Sequence, residues 1–145
     1  MTTANPLRIL LVEDDGHIAR LIEISMRDLG VPYHLDQAIS AEEALELWAR
    51  QPYDLLLTDH NLRSISGLAL ITTLKQRGFN TPMVLFTAYD TPQLRREARN
   101  AGVAAFIAKP FFLDLFVDLA RSLLPARSSE LGGRSALPGT ETVQS

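Results

Sequence analysis

A chain of 145 residues, 46% hydrophobic and 21% charged, has the size and composition of one soluble globular domain. A net charge of −3 gives no ground for general nucleic-acid binding, and the absence of cysteine excludes disulfides, thiolate metal sites and thiol catalysis. No apolar run approaches the roughly 20 residues that span a membrane, and the opening residues carry no signal-peptide pattern, so a cytoplasmic location is expected.

Residues 7–12 read as a buried strand that ends on three acids, Glu13, Asp14 and Asp15. Ile18, Leu21, Ile22, Met26 and Leu29 then recur at helical spacing over 17–29, and Gly30 closes the helix. Residues 33–38 form a second, weaker strand. The run Ser40-Ala41-Glu42-Glu43 is a capping pattern, in which the Ser40 hydroxyl accepts a backbone N–H and Glu43 reaches back. Ala41, Ala44, Leu45 and Trp48 make the buried stripe of that helix.

The third strand, 54–58, is a continuous apolar run that stops abruptly at Asp59, as expected of a central parallel strand covered on both faces. A third helix is predicted over 68–77 with Gly78 at its end, and a fourth strand over 82–87. A fourth helix over 92–101 is closed by Gly102; a fifth strand over 104–108 runs into Lys109-Pro110; a fifth helix covers 112–124. Five strand–helix pairs, about 25 residues each, predict an α/β fold with a doubly wound parallel sheet and helices on both faces. The expected organisation is a short extension at 1–6, one domain at 7–124, and a disordered tail or linker at 125–145, where Ser, Gly, Pro and Thr dominate.

In parallel sheets ligands collect at the carboxyl ends of the strands. Four of those ends carry Glu13-Asp14, Asp59, Thr87 and Lys109. Lys109 is one of only two lysines, against twelve arginines. Three carboxylates brought together repel one another, and a divalent cation relieves the repulsion. Oxygen-only ligands suit a hard ion such as Mg²⁺. Lys109 and the Thr87 hydroxyl suit phosphoryl oxygens, the small Ala88 leaves room for a substituent, and an aspartate can attack phosphorus to form an acyl phosphate. Singly, each residue has a plainer reading: Asp59 as a loop opener, Asp14 or Asp15 as a helix cap, Thr87 as an ordinary strand end, Lys109 as a solvated charge. The convergence of all of them on one edge favours the phosphoryl site. Other phosphate sites fit poorly. There is no Gly-rich turn after the first strand and no P-loop, and the acids at 13–15 repel a bare phosphate. Haloacid-dehalogenase-type phosphatases carry their nucleophile in an Asp-x-Asp motif after the first strand, where this chain reads Glu-Asp-Asp.

The set Leu11-Val12-Glu13-Asp14-Asp15, Leu57-Thr58-Asp59, Gly67, Phe86-Thr87-Ala88 and Ala108-Lys109-Pro110-Phe111 resembles the receiver domain of two-component response regulators over residues 7–124. The resemblance implies a CheY-like, flavodoxin-like (βα)₅ fold with strand order 2-1-3-4-5. It implies Asp59 as phosphoacceptor and Asp14 as direct ligand to Mg²⁺. Glu13 would act through metal-bound water, Asn61 would give its backbone carbonyl, and Thr87 and Lys109 would hold the phosphoryl group. Lys109–Pro110 is expected to be cis. Thr87 and Phe106 are the implied switch residues, and Asn61 and Tyr89 the positions that tune dephosphorylation. The chain departs from the family at Arg63, where a proline is usual, and at Phe106, where many relatives carry tyrosine.

The expected partners are a histidine kinase or histidine phosphotransfer protein and a downstream protein, bound by helix 4, strand 5 and helix 5. No direct nucleic-acid or membrane contact is expected. Arg95, Arg96 and Arg99 form a solvated face able to steer an acidic partner. On the fifth helix Phe112, Phe116, Leu119 and Leu123 can face the sheet. Leu113, Val117 and Leu124 then form a second apolar stripe, from which a homodimer sensitive to Val117→Asp is expected. A stand-alone receiver in a relay is the favoured reading. The alternatives are a receiver cut from a longer regulator or hybrid kinase, and a phosphate-independent interaction module. An enzyme acting on an external substrate stands further off.

Overall fold

The computed structural model describes residues 6–124. The expected tail at 125–145, and all but Pro6 of the expected extension at 1–6, lie outside the described residues. Strands β1 (Leu7–Val12), β2 (Tyr33–Ala38), β3 (Leu55–Asp59), β4 (Met83–Thr87) and β5 (Ala105–Ala108) alternate with helices. These are α1 (Gly16–Met26, continued by a 3-10 turn at Arg27–Leu29), α2 (Ala41–Arg50), α3 (Gly67–Gln76), α4 (Pro92–Ala101) and α5 (Asp114–Leu123). The strands form one parallel sheet in the order β2-β1-β3-β4-β5. This is the α/β, CheY-like order that the resemblance implied.

Alternation along each strand splits the apolar run between two cores. Ile9, Leu11, Leu55, Leu57, Val84 and Phe86 point to the α1 and α5 side, where Ile22, Met26 and Phe116 meet them. Leu10, Val12, Leu56, Met83 and Leu85 point to the other side, toward Trp48, Leu70 and Leu94 of α2, α3 and α4. Both faces are covered, which is why the inner strands β1, β3 and β4 read as nearly unbroken apolar sequence, while the edge strand β2 carries His34, Asp36 and Gln37.

The helix starts follow the sequence chemistry. Asp15 caps α1 by accepting from the amides of His17 and Ile18. Ser40 accepts from the Glu43 amide at 3.1 Å, and Glu43 reaches back to the Ile39 amide at 2.9 Å, one residue before the cap itself. Gly30, Gly78 and Gly102 take positive φ just after their helices, a conformation that glycine adopts without strain.

Three expectations need correction. Leu21 is 51% exposed, because α1 buries Ala19, Ile22 and Met26 instead. Phe112 does not begin the fifth helix or face the sheet; it is 87% exposed, and Phe111 takes its place against Phe86 and Phe116. Val117 is core rather than surface, and Leu124 is buried with it. Helix α5 packs beside α1 on the same face of the sheet, and Arg121 fastens it by donating to the carbonyl oxygens of Leu29 and Asp28. The apolar stripe that suggested a homodimer is therefore consumed within the fold.

Candidate functional site

The four strand ends do converge. Asp59 and Thr87 are the last residues of β3 and β4, while Glu13 and Lys109 directly follow β1 and β5. Backbone bonds carry the ladder past these ends: Glu13 N–H to Ala38 O at 3.0 Å, His60 N–H to Phe86 O at 2.8 Å, and Lys109 N–H to Thr87 O at 2.8 Å. The side chains are thus carried on backbone that the sheet holds rigidly.

One carboxylate oxygen from each of Glu13, Asp14 and Asp59 lies within 4.8 Å of the others. Glu13 and Asp59 are buried, whereas the Asp14 side chain is 26% exposed. Lys109 Nζ stands 3.6 Å from Asp59 Oδ2 and 3.7 Å from Glu13 Oε1, above the Phe86 ring. Burial pushes the Glu13 carboxyl up to about 7; the Asp15 amide opposes this, the neighbouring Asp59 charge adds to it, and Lys109 opposes it. Glu13 Oε2 accepts from the Asp15 amide at 3.1 Å, while Oε1 is buried with no hydrogen-bond partner. An oxygen-only cluster with formal charge −3 and an orphaned buried oxygen fits a hard divalent cation of the Mg²⁺ kind.

The loop after β3 is built around Asp59. Its Oδ1 accepts from the Asn61 amide at 3.2 Å, and its backbone oxygen accepts from the Thr58 hydroxyl at 2.9 Å. A Cβ on residue 67 would stand 2.1 Å from that same backbone oxygen, so α3 can start here only with glycine. The Gly67 amide donates back to His60 O at 3.0 Å and closes the loop. His60 is half-buried, and burial lowers its pKa.

Thr87 is fully buried and doubly engaged. Its hydroxyl donates to Asn61 Oδ1 at 2.8 Å and accepts from the Tyr89 amide at 3.0 Å. The Tyr89 side chain itself is exposed. Phe106, in β5 opposite Leu85, is half-buried on the α4 side, apart from the carboxylates. The Arg95 guanidinium lies over its ring at 4.6 Å and grips Asp90 through two hydrogen bonds of 2.6 and 3.0 Å. Lys109–Pro110 is cis. Arg63, the departure noted in the sequence, places Nε 3.8 Å from Asp14 Oδ2.

Two features escaped the sequence reading. The side-chain bond between Asn61 and Thr87 joins residues 26 apart with no shared motif. The Arg63–Asp14 pair depends on how the loop folds back. Glycine at 67 was visible as part of a pattern, but its cause, the approach to the Asp59 carbonyl, is three-dimensional.

A family model described as "Response regulator receiver domain" matches residues 9–121. The response regulator protein PilR of Pseudomonas aeruginosa is 35% identical over 123 residues, which are 85% of this chain and 27% of that protein. The transcriptional regulatory protein DltR of Streptococcus agalactiae is 34% identical over 125 residues, 86% of this chain and 54% of that protein. The chain thus spans about half or less of the length of these curated relatives. Among solved structures, the receiver domain of the Francisella response regulator 1452 superposes with a TM-score of 0.74 at 27% identity, over 82% of this chain and 96% of that one.

Proposed function

The chain belongs to the response regulator receiver family of two-component signal transduction, and we propose that it works as a phosphorylation switch with Asp59 as phosphoacceptor. The observation that carries this is the juxtaposition of Asp59 with Lys109 at 3.6 Å inside the carboxylate cluster. The donor is a phosphohistidine on a kinase or phosphotransfer protein. An Asp59 carboxylate oxygen attacks phosphorus in line; the new O–P bond forms as the P–N bond breaks, and the imidazole keeps the electron pair and takes a proton. Lys109 holds a phosphoryl oxygen and keeps its charge. Asp59, Asp14, the Asn61 backbone carbonyl and, through water, Glu13 would hold Mg²⁺. When bound, the ion supplies positive charge to the carboxylates and the phosphoryl oxygens.

Thr87 turns the event into a signal. Its hydroxyl leaves Asn61 for the phosphoryl group, and Phe106 moves inward into the space that Thr87 frees. The face made by α4, β5 and α5 then changes shape for a downstream protein. Asn61 and Tyr89 set how easily water reaches the acyl phosphate. The lengths of PilR and DltR favour a second reading of the output, in which this receiver works within a longer regulator. Beryllofluoride, a phosphoryl mimic, tests the switch by ¹⁹F NMR. A bound signal that requires both Mg²⁺ and Asp59 supports the reading, and a signal unchanged in Asp59→Asn removes it.

A further inference from the structure

The three carboxylates are not served by one cation. Lys109 lies between Glu13 and Asp59, and Asp14 pairs with Arg63. These two cations differ in freedom. Lys109 is 19% exposed and packed over Phe86, whereas the Arg63 side chain is 87% exposed. The loop that carries Arg63 is tied down on either side of it. The Leu62 amide donates to His60 O at 3.0 Å, and the Ser64 hydroxyl donates to Glu42 Oε2 at 2.6 Å, tying the loop to α2.

We propose that Arg63 is an internal competitor for the metal: its guanidinium neutralises Asp14 in the metal-free protein and must swing into solvent before Mg²⁺ binds, so it sets the Mg²⁺ affinity. The inference rests on the reading that Asp14 is a metal ligand. A guanidinium at 3.8 Å is an ion pair rather than a hydrogen bond, so it can be displaced without leaving an unmade donor in the interior. Its exposure makes the displacement cheap. An exposed pair contributing about 0.4–1 kcal/mol changes affinity about two- to fivefold, which is the ceiling for a pair of this kind. Charge fixes the sign. Without Arg63 the site is more negative and attracts a dication more strongly, and salt screens the difference. Lys109 is confined and remains available to the phosphoryl oxygens.

The test is titration of the full chain with MgCl₂ at low ionic strength, followed by calorimetry and by amide NMR shifts, in wild type, Arg63→Gln and Arg63→Lys. Arg63→Gln is expected to bind Mg²⁺ about two- to fivefold more tightly, Arg63→Lys close to wild type, and the gap is expected to shrink in high salt. Unchanged or weaker binding in Arg63→Gln, with an unchanged urea midpoint, overturns the role of Arg63 while leaving the metal site intact. No Mg²⁺ response in wild type overturns the metal reading and this inference with it.

Discussion

The Thr87 hydroxyl donates to the side-chain carbonyl of Asn61 across 2.8 Å, joining the residue after the β3 loop turn to the end of β4. On the proposed switch mechanism, a phosphoryl group on Asp59 competes with Asn61 for the Thr87 hydroxyl and breaks this bond. A double-mutant cycle with Asn61→Ala and Thr87→Ala is expected to give a coupling of about 0.5–1.5 kcal/mol in urea unfolding. With Mg²⁺ and beryllofluoride present the coupling is expected to fall toward zero. A coupling that persists would mean that Thr87 stays with Asn61 throughout.

Gly67→Ala sets a methyl group against the Asp59 backbone oxygen at 2.1 Å. The three nearest atoms, Asp59 O, Asp59 C and His60 Cα, are all backbone, so relief requires the β3–α3 loop to move. The expected cost is about 2 kcal/mol or more in urea unfolding, together with weaker beryllofluoride binding as Asp59 shifts. A loss below about 0.5 kcal/mol would show that the loop yields freely.

The inner strands β1, β3 and β4 were legible because burial on both faces leaves them almost wholly apolar, whereas the edge strand β2, with His34, Asp36 and Gln37, gave the weaker signal; all five end within one residue of the reading from sequence. The cluster was legible because parallel topology sends every strand end to one edge, so Glu13, Asp59, Thr87 and Lys109 needed only their positions in the chain. The faces of single helices were less legible. Periodicity marks Val117 and Leu21 equally as apolar, but only the packing of α5 against α1 and the sheet decides that Val117 is inside and Leu21 outside. Side-chain partnerships across loops, such as Arg63 with Asp14, leave no periodic trace at all.

The burial of Val117 changes what a charge there would do. Val117→Asp places an unpaired carboxylate in the core and is expected to destabilise the domain by about 3 kcal/mol or more, read as a lowered urea midpoint. Leu115, exposed on the same helix, is the proper probe of self-association, and Leu115→Asp is expected to stay within about 0.5 kcal/mol of wild type. A Val117→Asp protein of normal stability would contradict the packing described for α5.

Far from the site, Asp36 ties β2 to the loop between α2 and β3. It accepts from the Tyr53 hydroxyl at 2.6 Å and lies 2.8 Å from His34 Nε2, with Arg8 nearby. Burial works to raise its pKa, but Tyr53, His34 and Arg8 together hold it below the ordinary 3.8. A carboxyl depressed on folding stabilises above its unfolded value, and that stability disappears as pH falls through the folded value. Asp36→Asn is expected to cost about 1 kcal/mol at neutral pH and to flatten the loss of stability below about pH 4. Parallel pH profiles for the two proteins would rule out this contribution.

The central claim is that Asp59 accepts a phosphoryl group, and intact-protein mass tests it most directly. The protein is incubated with phosphoramidate and Mg²⁺, sampled quickly, and compared with Asp59→Asn and with a chelated sample. One added phosphoryl group in wild type, absent from both controls, is the expected result. No adduct in wild type, or an adduct that survives in Asp59→Asn, would contradict the account and leave the fold as a phosphate-independent binding module.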